Sequence, residues 1–298
     1  MRRLFDSPYL LLTLTALFWS GNMVVGRSIR EDVPPIGLAF WRWSLAFLLI
    51  LPFALPHLRT QWRALLAGWK PIVFLGALGV GGYNTFAYFA LQHTTAINAT
   101  MLNSLIPVAT ILLARVLLGR RLHRLEGLGV VVSLIGVSVI VTRGHLTTLL
   151  GIELNPGDLW MLAAVLDWGL YTVALHWRPA GVHPMLMLCA MTVVGVSILG
   201  PLWVWEMSEG HFIHPGLGSY VGMLYTAVFP GFLGYVFYNR GVTMVGPNRG
   251  SLFIHLMPAF GTVLSMIFLG ENPQFFHAIG IGLILAGIWM TTRARHDV

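Results

Sequence analysis

Charge is the first thing that this sequence has little of. Only 10% of its 298 residues are Asp, Glu, Lys or Arg, whereas 56% are hydrophobic, and a soluble domain normally has about 25% charged residues. So few charges cannot cover a surface that faces water, which excludes an ordinary soluble domain and predicts a lipid bilayer around the protein. The net charge of +7 is scattered between apolar runs, without a basic stripe interleaved with aromatic residues, so it predicts no nucleic-acid partner.

The motifs of several kinds of chemistry are also missing. The single cysteine, Cys189, can form neither an intrachain disulfide nor a metal cluster. The sequence contains no His-Glu-x-x-His, no Gly-x-Ser-x-Gly and no phosphate-binding loop. The nearest metal-like group, Glu209 with His211 and His214, lies in a predicted loop next to Pro215, where a solvated turn is the better interpretation. The sequence therefore predicts a protein that is not an enzyme and has no metal and no cofactor.

What the sequence has instead is a series of apolar runs of spanning length. About 20 residues of helix cross the ~30 Å of hydrocarbon in a bilayer, and backbone groups in lipid must be satisfied within the segment, which favours helices for runs this long. We predict an all-α integral membrane protein with ten transmembrane helices. The predicted spans are 9–27, 35–55, 69–91, 96–118, 124–143, 157–175, 183–205, 216–239, 248–269 and 275–293.

The basic residues predict the orientation of these spans, because short cytoplasmic loops are enriched in Lys and Arg. With the N-terminus in the cytoplasm, fourteen of the 18 Lys and Arg residues fall on the inner side. Only Arg27, Arg30 and Arg143 fall outside, and Arg42 lies within the second span. The bias predicts that the N- and C-termini are both cytoplasmic, and a prediction with one helix fewer would scramble it.

The two halves of the chain repeat. Trp19 and Trp168 are 149 residues apart, and Pro107 and Pro258 are 151 apart. Each half has five spans, an odd number, so the second half must be inverted relative to the first. We therefore predict two inverted five-helix repeats, residues 1–148 and 149–298, around a central cavity. In such proteins the substrate binds near the midplane and access to it alternates.

Polar and aromatic residues at membrane depth are costly to place, which makes them candidates for a binding site. Arg42 could bind a substrate carboxylate, or could be structural, bonded to carbonyls or reaching the outer interface. Asp167 could pair with Arg42 or a substrate ammonium, carry a proton, or make only a local bond to the backbone. The aromatic residues could line a cavity or pack between helices, and His255 could be a packed histidine. The candidate substrate-binding residues are Trp19, Asn22, Arg42, Tyr83, Asn84, Tyr88, Asp167, Trp168, Tyr171 and His255.

Proline and glycine predict places where helices bend. Pro107 and Pro258 fall in the middle of the fourth and ninth predicted spans, where each removes one intrahelical hydrogen bond and kinks its helix. Paired interruptions at corresponding repeat positions indicate a transport site. Gly79 and Gly82 in the third span allow a hinge or a close helix approach, and packing alone is the alternative.

An ordered set of motifs resembles EamA-type members of the drug/metabolite transporter superfamily. Arg120 departs from the family pattern, which usually has there the glutamate kept in this sequence as Glu271. The resemblance covers nearly the whole chain. The residues that carry it are Trp19-Ser20-Gly21-Asn22, Pro35, Phe40-Trp41-Arg42-Trp43, Tyr88, Ala96, Ala99, Pro107, Leu118-Gly119, Pro258 and Leu269-Gly270-Glu271.

The resemblance implies efflux of small metabolites from a bacterial inner membrane, and it is nearest to YddG-type exporters of aromatic and other neutral amino acids. Export of cationic drugs or other metabolites is the alternative within the family, and a channel or an intramembrane enzyme is the alternative outside it. The sequence has no nucleotide-binding segment, so a proton gradient, another ion gradient or the substrate's own gradient would drive transport. The oligomeric state stays open.

Overall fold

The computed structural model describes residues 7–93, 102–120, 122–145, 155–269 and 274–293. Within these residues the chain is helical and has no strand. The first residues of the predicted fourth span, with Ala96 and Ala99, and the motif residues Gly270 and Glu271 lie outside the described part.

The described residues form ten helical rods. Their bounds are α1 (Pro8–Ser28), α2 (Pro35–Ala67), α3 (Trp69–Gly76, Ala77–Gly82 and Tyr83–His93), α4 (Ile106–Leu118), α5 (Arg124–Val141), α6 (Pro156–Ala174, then Leu175–Trp177), α7 (Pro184–Ser208), α8 (Leu217–Thr226, Ala227–Leu233 and Gly234–Val245), α9 (Pro247–Leu252, Phe253–His255 and Leu256–Leu269) and α10 (Phe275–Arg293). By length and composition, eight are long and apolar enough to cross a membrane. Helix α4 and the last segment of α9 are shorter, with 13 and 14 residues. The chain is thus an all-α membrane protein.

Two features differ from the prediction. Helix α2 continues to Ala67, well past the predicted end at 55, and contains Pro52 and Pro56. Pro107 does not lie in the middle of a helix but in the first turn of α4, and Pro258 follows the 3-10 turn Phe253–His255 in the first turn of the last α9 segment. At the start of α4, Pro107 removes an N–H that has no intrahelical partner, so it starts that helix without kinking it. Pro258, in contrast, lies in the middle of α9, next to its 3-10 turn.

The helices pack in a reciprocal pattern. Helix α1 packs against α8 and α9, while α6, five helices later, packs against α3 and α4. Two further contacts, α2 with α7 and α5 with α10, complete the arrangement. The α5–α10 contact is close, because a Cβ on Gly136 would lie 2.7 Å from the Gly280 carbonyl oxygen and one on Gly287 would lie 2.7 Å from the Ser133 Cβ.

The α2–α7 pair is joined at both ends by side chains that accept from helix N-termini. At one end the backbone N–H groups of Ile36 and Gly37 donate to the two carboxylate oxygens of Glu206, at 2.9 and 2.7 Å. At the other end the N–H of His183 donates to Gln61 Oε1 at 2.6 Å. Each bond satisfies an N–H group that has no partner within its own helix.

Candidate functional site

A narrow cavity lies where α1, α2, α3, α6, α8 and α9 meet. Its aromatic and polar side chains come from α1, α2, α3, α6, α8 and the turn before α4, and the first residue of α4 and two residues of α9 add apolar ones. The lining residues are Trp19, Asn22, Arg42, Tyr83, Asn84, Asn103, Ile106, Trp168, Tyr235, Ile254 and Met257.

One wall of the cavity is aromatic. The rings of Trp19 and Trp168 meet edge to face, with centroids 5.0 Å apart and an interplanar angle of 88°. Tyr83 lies 4.9 Å from Trp168, and Tyr235 lies 5.5 Å from the same ring. Such edge-to-face and tilted contacts hold the rings in place and leave an apolar surface with polarisable faces.

The polar part of the cavity lining is a group of residues around Arg42. This side chain is only 2% exposed, and its Nη1 donates to Asn84 Oδ1 at 2.9 Å. Several buried polar atoms of lining residues have no hydrogen-bond partner within the described residues, among them Arg42 Nε, Asn84 Nδ2 and Asn22 Oδ1. Buried polar atoms are normally bonded, so several unsatisfied ones at one cavity mark a place built to bond something else.

Two π-helical segments border the cavity. They are Ala77–Gly82 in α3 and Ala227–Leu233 in α8, whose first residues are 150 positions apart. The wider turns of a π-helix leave backbone carbonyls free and often occur at functional sites. Side chains of the aromatic wall use these carbonyls: Trp19 Nε1 donates to the Pro230 oxygen at 3.1 Å, and the Tyr235 hydroxyl donates to the Gly79 oxygen.

The structure brings six of the ten sequence-predicted site residues to the cavity and places four elsewhere. The six are Trp19, Asn22, Arg42, Tyr83, Asn84 and Trp168. Among the four, Tyr88 is buried and its hydroxyl has no partner among the described residues. Tyr171 is fully buried and its hydroxyl donates to Asn239 Oδ1 at 2.7 Å.

His255 lies outside the lining and is fully buried. Its Nε2 is 2.7 Å from the Ser104 carbonyl oxygen and its Nδ1 is 2.7 Å from Ser133 Oγ. A carbonyl only accepts, so Nε2 carries the hydrogen and donates to it. Nδ1 is bonded to the Ser133 hydroxyl, which also lies 3.0 Å from the Val130 carbonyl oxygen. This bonding uses both ring nitrogens.

Asp167 also lies outside the lining. It is on α6, one residue before Trp168, and faces the π segment of α3: a Cβ added to Gly82 would collide with Asp167 Oδ1. Within the described residues Asp167 forms no ion pair within 4.0 Å, with Arg42 or any other cation, and its Oδ2 has no hydrogen-bond partner.

Sequence reasoning misses five of the lining residues: Asn103, Ile106, Tyr235, Ile254 and Met257. Apolar wall residues carry no signal in a sequence that is apolar throughout. Asn103 does have one, because it is an amide within the fourth predicted span, and in the structure its Oδ1 accepts from the Tyr83 hydroxyl at 2.9 Å. Among the described residues no group of three or more His, Cys, Asp or Glu side chains is arranged to hold a metal ion.

A model of the EamA-like transporter family matches residues 6–142 and 155–293, nearly the whole chain. The chain belongs to the EamA-like transporter family. It is 25% identical to the uncharacterized transporter YyaM of Bacillus subtilis, over 94% of this chain and 92% of the relative. It is 27% identical to an uncharacterized transporter of Archaeoglobus fulgidus, over 98% and 99% of the two chains.

Two further comparisons bear on function and fold. A probable terminal-alkyne amino-acid exporter of Streptantibioticus cattleyicolor is 25% identical over 95% of this chain and 92% of the relative. A crystal structure superimposes with a TM-score of 0.77 at 21% identity, covering 96% of each chain, which shows that the fold is shared. The EamA-family protein is therefore a membrane transporter, and its fold is one already seen in a crystal.

Proposed function

We propose that this protein is a secondary transporter that exports neutral amino acids, the aromatic ones above all, across a bacterial inner membrane. The observation that carries the proposal is the cavity itself, in which the unsatisfied atoms of Arg42, Asn84 and Asn22 face an aromatic wall. A zwitterion with an apolar side chain has the complementary groups.

The two ends of an amino acid find different partners in this cavity. The carboxylate accepts hydrogen bonds, and Arg42 Nε and Asn84 Nδ2 are donors with none yet made. The ammonium donates, and Asn22 Oδ1 is an acceptor in the same state. The ring faces of Trp19 and Trp168 also attract a cation and cover an apolar side chain.

The same lining argues against cationic drugs as the main substrates. No Asp or Glu is among the lining residues that the structure describes, whereas one buried guanidinium is. A cation without a carboxylate would meet the field of Arg42 with no acid to offset it. The exporter of Streptantibioticus cattleyicolor, whose name gives an amino acid as its substrate, supports the amino-acid alternative.

We further propose that residues 1–148 and 149–298 are the two inverted repeats, and that they rock against each other to alternate access. The support is the reciprocal packing of α1 and α6 and the two π segments 150 residues apart. The distribution of basic residues supports the proposal that both termini are cytoplasmic. A proton gradient or another ion gradient would supply the drive.

The test is counterflow in proteoliposomes. Vesicles loaded with unlabelled tryptophan are diluted into labelled tryptophan, phenylalanine, methionine or threonine, with tryptamine as a matched compound that lacks only the carboxylate. We expect saturable exchange of the amino acids and at least tenfold slower exchange of tryptamine, because Arg42 has nothing to bind in it. Exchange of sugars alone would refute the amino-acid proposal. Flux that does not saturate would indicate a channel, and covalent change of the substrate an enzyme.

A further inference from the structure

Asp167 stands apart from the substrate cavity and accepts a hydrogen bond from the backbone N–H of Tyr83. The residue is 8% exposed and lies in the second half of α6. Its neighbour Trp168 lines the cavity, but Asp167 does not. Adjacent residues of an α-helix point about 100° apart, so Asp167 is turned from the cavity toward α3.

Among the residues that the structure describes, no cation lies within 4.0 Å of this carboxyl to hold it ionised. Tyr83 of α3 and Tyr235 of α8 lie within its electrostatic reach, and Arg42 of α2 reaches the same two tyrosines from the cavity side, where it bonds Asn84. From α9, His255 is bonded to Ser104 and Ser133.

Two further elements complete the surroundings. In α9, Arg249 pairs with Glu126 at 3.5 Å. Where α4 packs on α6, at Gly169, it presents Ala109, Thr110 and Leu113, none of which titrates. An ionised carboxylate without a paired charge is costly in such a place, whereas a protonated one is not.

Asp167 is also in contact with the part of the backbone that borders the cavity. Asp167 and Tyr171 are one helical turn apart on α6 and face two of the three glycines in the π segment of α3, Gly82 and Gly79. A Cβ on Gly79 would lie 2.7 Å from Tyr171 Cδ2, and one on Gly82 would lie 3.0 Å from the Asp167 carboxyl carbon. The next residues after Gly82 are Tyr83 and Asn84, both in the cavity lining. Only one or two residues therefore separate Asp167 from the side chains that line the cavity, so a change in its protonation can affect the substrate site.

We propose that Asp167 is a proton-binding site, separate from the substrate cavity and coupled to it through the Gly79–Gly82 segment. The carboxyl is protonated while this segment covers it. When α3 moves and water enters, the O–H bond breaks, the proton passes to water, and the carboxylate takes up another proton after access has switched. One proton then crosses the membrane in one direction for each substrate molecule in the other. This inference rests on the proposed transport function.

The experiment compares exchange with proton-driven accumulation in the same proteoliposomes. The lumen is set at pH 6.5 and the outside at pH 7.5, and the membrane potential is clamped at zero with potassium and valinomycin. With one proton exchanged per zwitterion, one pH unit corresponds to about tenfold accumulation of tryptophan. Asp167→Asn imitates the protonated carboxyl, so we expect it to keep counterflow, at a reduced rate, and to lose accumulation. The matched control is Asp32→Asn, an exposed acid, which should accumulate tryptophan like the wild type.

The possible results separate this inference from the proposed function. Absence of any amino-acid counterflow by the wild type would refute the function. Wild-type counterflow without accumulation, or accumulation by Asp167→Asn, would overturn the proton site and leave the function standing. A pH dye in the lumen gives a readout that needs no variant. Adding tryptophan outside wild-type vesicles should make the acidic lumen more alkaline, and a constant lumen pH would also overturn the inference.

Discussion

Arg42 and His255 are two nitrogen-bearing side chains buried at membrane depth, and the sequence marks both as candidates for the substrate site. In the structure they differ in how much of their bonding capacity the protein uses. Both ring nitrogens of His255 have partners at 2.7 Å, whereas Arg42 bonds Asn84 and keeps Nε without a partner among the described residues, beside the cavity. Burial is nearly equal, so burial alone does not separate these two side chains, whereas unused bonding capacity does.

The largest effect on transport is expected from Arg42→Lys. Lysine keeps the charge but loses Nε and the planar fork that binds a carboxylate. Loss of a hydrogen bond to a charged group costs about 1.5–3 kcal/mol, so the half-saturating tryptophan concentration for counterflow should rise roughly 10- to 150-fold. Arg63→Lys is the control, because Arg63 is exposed and lies over the Trp62 ring. A wild-type concentration dependence for Arg42→Lys would remove the arginine from the binding site.

The amino-acid sequence alone predicts the polar residues around Arg42, because polar residues are rare in membrane-spanning segments. Arg42, Asn22 and Asn84 stand out for that reason, and all three line the cavity. The fold is equally accessible, because the hydrocarbon thickness sets the length of the apolar runs.

Sequence reasoning does less well on the direction in which a side chain points. Asp167, Trp168 and Tyr171 of α6 are all candidate substrate-binding residues by sequence, yet only Trp168 reaches the cavity lining. Asp167 and Tyr171 are four residues apart and share a face toward the glycines of α3, whereas Trp168 is one residue around the helix. The apolar pattern of the sequence also does not predict the two π segments. Each π segment adds a residue to a turn, so it rotates the residues that follow relative to an ideal helix.

An intermediate effect, on stability and not on transport, is expected from His255→Ala. The change leaves a space in the core and removes the partners of the Ser104 carbonyl and the Ser133 hydroxyl, at a cost of about 2–4 kcal/mol. Thermal unfolding in detergent should show a clearly lower Tm, while the half-saturating tryptophan concentration of the folded fraction stays at the wild-type value. Ser133→Ala removes only one of the two bonds and should lower the Tm less. A tenfold change in tryptophan affinity with an unchanged Tm would make His255 a binding residue and break the comparison.

The smallest effect concerns a histidine that differs from His255 in being half-buried at the start of α7. The His183 ring stacks on His57, with centroids 3.7 Å apart and an interplanar angle of 10°, and its Nδ1 accepts from the Met185 N–H at 3.3 Å. Burial, and then the neighbouring His57, lower the pKa of His183 below its ordinary value of 6.5. The unfolded chain therefore binds this proton more readily, so the contribution to stability is complete well above pH 6.5 and is lost as the pH falls below it.

Acidification from pH 7.5 to 5.5 should therefore lower the Tm of the wild type more than that of His57→Phe, which keeps a stacked ring but cannot become charged. The difference should be no more than about 2 °C, because both rings are partly exposed and solvent screens their interaction. Equal pH dependence in the two proteins would show that the stacked pair does not affect stability. A difference of the expected sign would show that His183, with one ring nitrogen bonded and a titratable neighbour, makes stability depend on pH. His255 is the opposite case, because the core bonds both of its ring nitrogens and the side chain fixes a helix contact.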